Sequence, residues 1–280
     1  MSDKNPFPGE NNTGHIWDDN LRELDNPPPR WWTIAFWVSM AWVVVYAVLY
    51  PMFPGISGNT KGILGWSQVK EYNEGFAEVM TARADYEARI KGMSAAEILT
   101  NPDLKNYTLA AAKVLFGENC ASCHGSKGQG GPSFPVLVDD DWLFGSSAEI
   151  VEQTITHGRK GMMTANSSTM SEAEIDQMSQ DIMAGTITTN PLYAAKGCIG
   201  CHGVDGKGVQ ALGSANLTDK IWRFAEEDQL ASVKYTITHG VNFPVDSQTR
   251  QAEMPVFGNR LSKDEIKKLT VYVKDLTGGQ

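Results

Sequence analysis

Cys120, Cys123 and His124 form a Cys-x-x-Cys-His motif, and Cys198, Cys201 and His202 form a second. Together they use all four cysteines of the chain, so no thiol is left for a disulfide framework. The pattern is that of covalent c-type haem attachment, in which two thiols bond the haem vinyl groups and the imidazole ligates iron. Residues three and four apart share a face of a helical turn, so both sulfurs and the imidazole converge on one side of a flat macrocycle. Two other chemistries compete: a Cys-x-x-Cys pair serves as a redox dithiol or as half of a zinc site. A dithiol has no need of the following histidine. The two pairs also lie much farther apart than the roughly 15–20 residues between the pairs of a zinc ribbon. The sequence therefore predicts two covalently bound haem c groups, with His124 and His202 as iron ligands.

A low-spin electron carrier needs a second axial ligand, and a methionine opposite histidine raises the reduction potential. After the second motif, Met254-Pro255 precedes a helix start, and the proline fixes the local backbone. Met254 is the expected ligand there. After the first motif the corresponding stretch contains Met162, Met163 and Thr164, with no Met-Pro. Met163 is the choice by position, Met162 its close rival and Met170 a distant one. His157 and His239 are further candidates that would give bis-histidine iron of lower potential. Eleven methionines are present and most methionines fill cores, which is how Met178 and Met183 read.

These residues sit in an internal repeat. Each motif is followed by a Leu and, five residues later, a Trp: Leu137 with Trp142, then Leu217 with Trp222. Both tryptophans read as core residues near the porphyrin. Thr-Ile-Thr-His-Gly comes next in both copies, ending at Gly158 and Gly240. Each copy then has a methionine and a capping box, Ser171 with Glu174 and Ser262 with Glu265. The closing stripes are Ile175, Met178 and Ile182, then Ile266, Leu269, Val273 and Leu276. With an apolar helix before each motif (110–116 and 192–195), each unit reads as helix, motif, long loops and its own closing helix. The second copy carries an insertion, roughly Asn242 to Ala252, suited to shaping a docking surface or shielding a haem edge. Units of this size are small for a self-sufficient core, so haem-free protein is expected to be poorly stable.

The units must be held somewhere. Trp31 to Tyr50 is uncharged, and twenty helical residues rise about 30 Å, the thickness of a bilayer's hydrocarbon core. Its aromatic ends suit interfacial anchors. It is too long, and too far from the start, for the apolar region of a signal peptide. Lys4, Arg22 and Arg30 before it and Lys61 and Lys70 after it give a modest preference for a cytoplasmic N-terminus. Both motifs then lie on the periplasmic side of a bacterial inner membrane. A net charge of −9 argues against nucleic-acid binding. The expected organisation is a tail (1–30), a transmembrane helix (31–51), a linker with an amphipathic helix over 67–91 (52–106), and two haem domains (107–189 and 190–280).

The tail carries Gly14-His15-Ile16-Trp17-Asp18, Leu21, Glu23 and Asn26-Pro27-Pro28-Pro29-Arg30-Trp31-Trp32. With a single anchor leading to two haem motifs, the chain resembles the di-haem subunit, subunit III, of the cbb3-type cytochrome c oxidases over nearly its whole length. The resemblance implies a mainly α fold: one N-terminal transmembrane helix, then two tandem class I cytochrome c domains. It implies an electron-transfer subunit with no oxygen-reducing site of its own. Electrons would come from a soluble periplasmic cytochrome c and leave to a mono-haem subunit. That subunit feeds a catalytic subunit with haem b and copper, where oxygen becomes water and protons are pumped. Two departures stand out: Thr164 replaces the proline usual after the first ligand methionine, and some members have two N-terminal spans. His15 and Trp17 are candidate contacts to a partner subunit. The competing readings are a freestanding membrane-anchored electron shuttle and the cytochrome subunit of a periplasmic dehydrogenase.

Overall fold

The computed structural model describes residues 7, 9–18, 20–56 and 58–278; Lys4, used above for orientation, lies outside them. The described residues divide into two compact units, with the boundary between Arg83 and Ala84.

In the first unit the tail folds as a hairpin of β1 (Asn12–Trp17) and β2 (Leu21–Leu24), with a bulge between Asn12 and Ile16. Arg22 closes it through an ion pair to Glu10. His15 and Trp17, read only as candidate contacts, stack edge to face at 6.0 Å on this hairpin. Helix α1 (Arg30–Leu49) begins directly after three prolines, which cannot extend it backwards. It is long and apolar enough to cross a membrane, and none of its residues is buried. A two-residue ladder, β3 (Pro54–Gly55) with β4 (Gly58–Asn59), turns the chain back on itself. Ile63 and Leu64 then donate to the carbonyls of Val48 and Leu49 at 2.9 and 3.2 Å. Helix α2 (Gln68–Lys91) follows, capped by Ser67, and its first four turns expose Val69, Tyr72, Phe76, Val79 and Met80.

The second unit is helical and carries both motifs. Its elements are α3 (Ala95–Thr100), α4 (Pro102–Asn119), α5 (Ala121–His124), α6 (Ala148–His157), α7 (Glu172–Ala184), α8 (Pro191–Ala195), α9 (Ile199–His202), α10 (Gln229–His239) and α11 (Lys263–Leu276). Both expected capping boxes form, and Ser94 with Glu97 makes a third at α3. Residues 84–106, assigned by the sequence to a linker, belong to this unit. Ile90, Ala95, Ile98 and Leu104 are buried with Val271 of α11.

The closing helices depart from the repeat's simple reading, in which each closes the motif before it. Helix α11 packs on α4 and α6, burying Ile266, Leu269 and Val273 against Phe116, Val151 and Ile155. Helix α7 packs on α10, burying Ile175, Met178 and Ile182 against Val233, Ile237 and Tyr193. The helix that follows the second motif closes the first, and the helix that follows the first motif closes the second. The cause lies in the two segments after Thr-Ile-Thr-His-Gly, which pair with each other. Arg159 and Met254 exchange backbone hydrogen bonds of 3.0 and 2.8 Å, and Met163 and Val241 exchange two of 2.9 Å. Beyond these bridges, Phe257 and Gly258 run along the end of α6, and Asn166 and Ser167 along the end of α10. Asn242 Nδ2 further donates to the carbonyls of Gly161 and Ala252 at 2.7 and 2.8 Å.

This exchange explains the glycine of the repeated His-Gly. Gly158 and Gly240 cap their helices at φ 69° and 68°, a region that side chains disfavour. A Cβ at Gly158 would lie 2.3 Å from the carbonyl oxygen of Met254, and one at Gly240 would lie 2.2 Å from that of Met163. Only glycine admits the crossing strand.

Candidate haem sites

Each motif is a single helical turn that begins at its first cysteine. Cys120 ends α4 and opens α5; Cys198 opens α9. In both copies the first cysteine is partly buried and the second exposed. Burial, helped by the neighbouring Cys123, pushes the Cys120 thiol up to about 11, and burial pushes Cys198 up as well. A redox dithiol needs the opposite, a stabilised thiolate. Among the described residues, no three His, Cys, Asp or Glu side chains converge as a metal cluster would require, which leaves the zinc reading without support.

The two histidines are held alike. His124 Nδ1 lies 3.0 Å from the carbonyl oxygen of Pro135, and His202 Nδ1 lies 2.9 Å from that of Ala215. A carbonyl only accepts, so Nδ1 must carry the proton and Nε2 keeps its lone pair for a metal. Burial pushes both imidazoles below their ordinary pKa, against the opposing pull of these hydrogen bonds. Both are thus neutral, ligating bases at pH 7. The surrounding loops repeat to the atom pair. Gly130 N and Gly208 N donate to the carbonyls of His124 and His202, at 2.8 and 2.9 Å. Leu137 N and Leu217 N reach the carbonyls of Gly128 and Gly206 at 2.7 Å.

Around each motif lies an apolar shell. Cys120, Leu137, Trp142 and Met254 pack against the core of Phe116, Val151, Ile155 and Leu269. Cys198, Leu217, Trp222 and Met163 pack against the core of Met170, Met178, Ile182 and Ile237. The sequence assigned Met163 to the first motif and Met254 to the second; the packing places them the other way round, because each travels on an exchanged segment. Met162 is 63% exposed, Met170 is buried in the core, and His157 is exposed. His239 is engaged by Asp246 at 2.9 Å. The residues present fit a haem c at each motif: two thiols and an Nε2 on one helical turn, a half-buried thioether in the same shell and an apolar lining.

The missing proline after Met163 is compensated in the backbone. Met163 and Met254 are each fixed by two reciprocal hydrogen bonds to the other copy's His-Gly segment, whether threonine or proline follows.

Comparisons with known proteins cover the whole organisation. Residues 9–57 match the N-terminal domain of cytochrome oxidase-cbb3, FixP. Residues 108–180 match cytochrome c oxidase, cbb3-type, subunit III, and residues 190–277 match cytochrome c. The chain is 39% identical to the cbb3-type cytochrome c oxidase subunit FixP of Azorhizobium caulinodans, over 97% of its own length and 94% of that protein. It is 36% identical to FixP of Bradyrhizobium diazoefficiens over the full length of both. To CcoP of Azospirillum sp. (strain B510) it is 34% identical, over 99% of the chain and 98% of that protein.

Proposed function

Since the chain belongs to the FixP and CcoP family, and is thereby a di-haem c electron-transfer subunit of a cbb3-type cytochrome c oxidase, we propose the route its electrons take and the residues that carry them. A soluble periplasmic cytochrome c delivers electrons to this subunit. They leave to a mono-haem cytochrome c subunit and from there to the catalytic haem b and copper subunit, which reduces oxygen to water and pumps protons. The subunit is a member of the oxidase complex and is anchored in a membrane by α1. In our reading that membrane is the bacterial inner membrane, with the hairpin of β1 and β2 cytoplasmic and both haems periplasmic.

Cys120 and Cys123 hold one haem, with His124 and Met254 as its axial ligands. Cys198 and Cys201 hold the other, with His202 and Met163. Bound there, a haem c supplies reversible one-electron chemistry at its iron. The chain's own residues do the rest. The Pro135 and Ala215 carbonyls orient the histidines, and the apolar shells exclude water. The backbone bridges of Met163 with Val241 and of Met254 with Arg159 fix the thioethers. The observation that carries the assignment is the pair of Nδ1–carbonyl hydrogen bonds, each beside a half-buried methionine in the same shell as the motif's first cysteine.

Purification of the membrane protein in mild detergent tests the functional reading. Co-elution with haem b and copper, and two haems retained covalently per chain after denaturation, is the expected result. A di-haem polypeptide that elutes alone would replace the oxidase reading with the freestanding shuttle.

A further inference from the structure

Arg223 is a half-buried cation with no carboxylate partner among the described residues. Its Nε is shielded from solvent and has no hydrogen-bond partner. Among the described residues the guanidinium takes part in no ion pair, and its contact is the ring of Phe224 at 5.9 Å. Burial alone lowers its proton affinity. An unpaired buried charge is one of the costliest features a fold can retain.

The fold does not require it. The repeat aligns Trp222-Arg223-Phe224 with Trp142-Leu143-Phe144, so the first copy has a leucine at the same place. The loops carrying the two stretches approach each other. Gln210 Nε2 donates to the Trp142 carbonyl at 3.4 Å, and a Cβ on Gly213 would strike the Phe144 ring. Trp222 packs in the shell of Cys198, yet the charge of its neighbour Arg223 acts on His124 of the other motif. Asp219, Asp139 and Asp140 all act on Asp141 of these loops, and among the described residues none of them forms an ion pair with Arg223.

The geometry points to Arg223 as the binding residue for a propionate of the haem held by Cys120 and Cys123, reached across from the loop of the other motif. The assignment rests on the haem reading above. A planar guanidinium fork matches a carboxylate with two parallel hydrogen bonds, and haem brings carboxylates at one edge of the macrocycle. The positive charge beside the first haem disfavours the ferric state, which carries one more positive charge than the ferrous. Arg223 therefore raises the potential of a haem whose covalent attachment belongs to the other copy.

The test is an optical potentiometric titration of the detergent-solubilised complex carrying Arg223→Leu, which copies Leu143, or Arg223→Lys. A Cys120→Ala background labels the first haem, because a single thioether moves its α-band to longer wavelength. Arg223→Leu is expected to shift the first haem's equilibrium toward ferric by about tenfold, about 59 mV for one electron, with a smaller change at the second. Its potential should also become more pH-dependent near neutrality, as the released propionate titrates. Arg223→Lys should retain most of the potential. An unchanged first haem, or a shift as large or larger at the second, overturns the assignment. Haem staining of the denatured wild-type chain is read separately: absence of covalent haem there defeats the haem reading itself.

Discussion

The two motif regions are alike at the iron and unlike in what supports it. Each has its histidine on a carbonyl, its Leu N–H on a glycine carbonyl, and its Thr-Ile-Thr-His-Gly helix end. The first motif hangs from α4, an 18-residue helix; the second follows α8, which has 5 residues. The second has instead the inserted loop, tied down by His239 with Asp246 and by Arg250, which binds Glu226 at 2.8 Å and lies over the Tyr235 ring. The ligand-holding chemistry is duplicated, whereas the closing helix and the methionine are traded. In the proposed assignment each site is built from both copies, because the shell around each motif takes its methionine and closing helix from the other copy.

Removing one copy gives the largest test of that statement. A chain ending after α7 lacks both α11 and Met254, so its haem at Cys120 should lose native near-UV circular dichroism and its methionine-ligated absorbance. A native spectrum from that fragment would break the exchanged architecture. Next in size is Met254→Ala. It should lower the potential of the haem on Cys120 by more than tenfold in the redox equilibrium, about 59 mV per tenfold, and spare the haem on Cys198. Met163→Ala should do the reverse, and the opposite pattern in titrations of both variants would restore the sequential pairing.

Packing comes third. Leu269 is fully buried in the first shell and Met178 nearly so in the second. Truncating either to alanine should cost about 2–5 kcal/mol, seen in urea melts as earlier loss of the first haem's spectrum for Leu269→Ala and of the second's for Met178→Ala. Gly158→Ala should cost about 1–3 kcal/mol from backbone strain and disturb the Met254 side of the bridge. The smallest effect concerns the tether of α11. Lys268 Nζ binds Glu87 at 2.6 Å. Burial works against the Glu87 carboxylate, but hydrogen bonds from Lys268 and Tyr107 prevail and hold its pKa below the ordinary value. A depressed carboxyl stabilises the fold above its unfolded pKa and loses that contribution as the pH falls through the lowered folded value. Acid titration of stability should therefore flatten in Glu87→Gln relative to the parent, and an identical acid limb would remove this ion pair from the account.

Much of the fold was legible because its signals are local. Cys-x-x-Cys-His, the capping boxes at Ser171 and Ser262, and the stripes of α7 and α11 each depend on a few neighbouring residues. The exchange was not legible, for the same reason. Ile175, Met178 and Ile182 present the same apolar face as Ile266, Leu269 and Val273, so either helix satisfies either shell by pattern alone. What decides is the reciprocal backbone pairing of Arg159 with Met254 and of Met163 with Val241, between segments distant in sequence. The glycine in His-Gly carries no local sign of the carbonyl that passes it, that of Met254 at Gly158 and that of Met163 at Gly240. Arg223 belongs to no motif, and only the structure reveals its shielded, unpartnered Nε.

The crossed closing helices also set an order of assembly. Synthesis runs from the N-terminus, so α7 already exists when the second motif emerges, and that site can shut once α10 has formed. The first motif emerges earlier but waits for α11, the last helix among the described residues. The copy made first is therefore closed last, by a helix that lies beyond the whole of the second motif. Contacts so far apart in sequence slow folding, so closure of the first site should be the slower of the two.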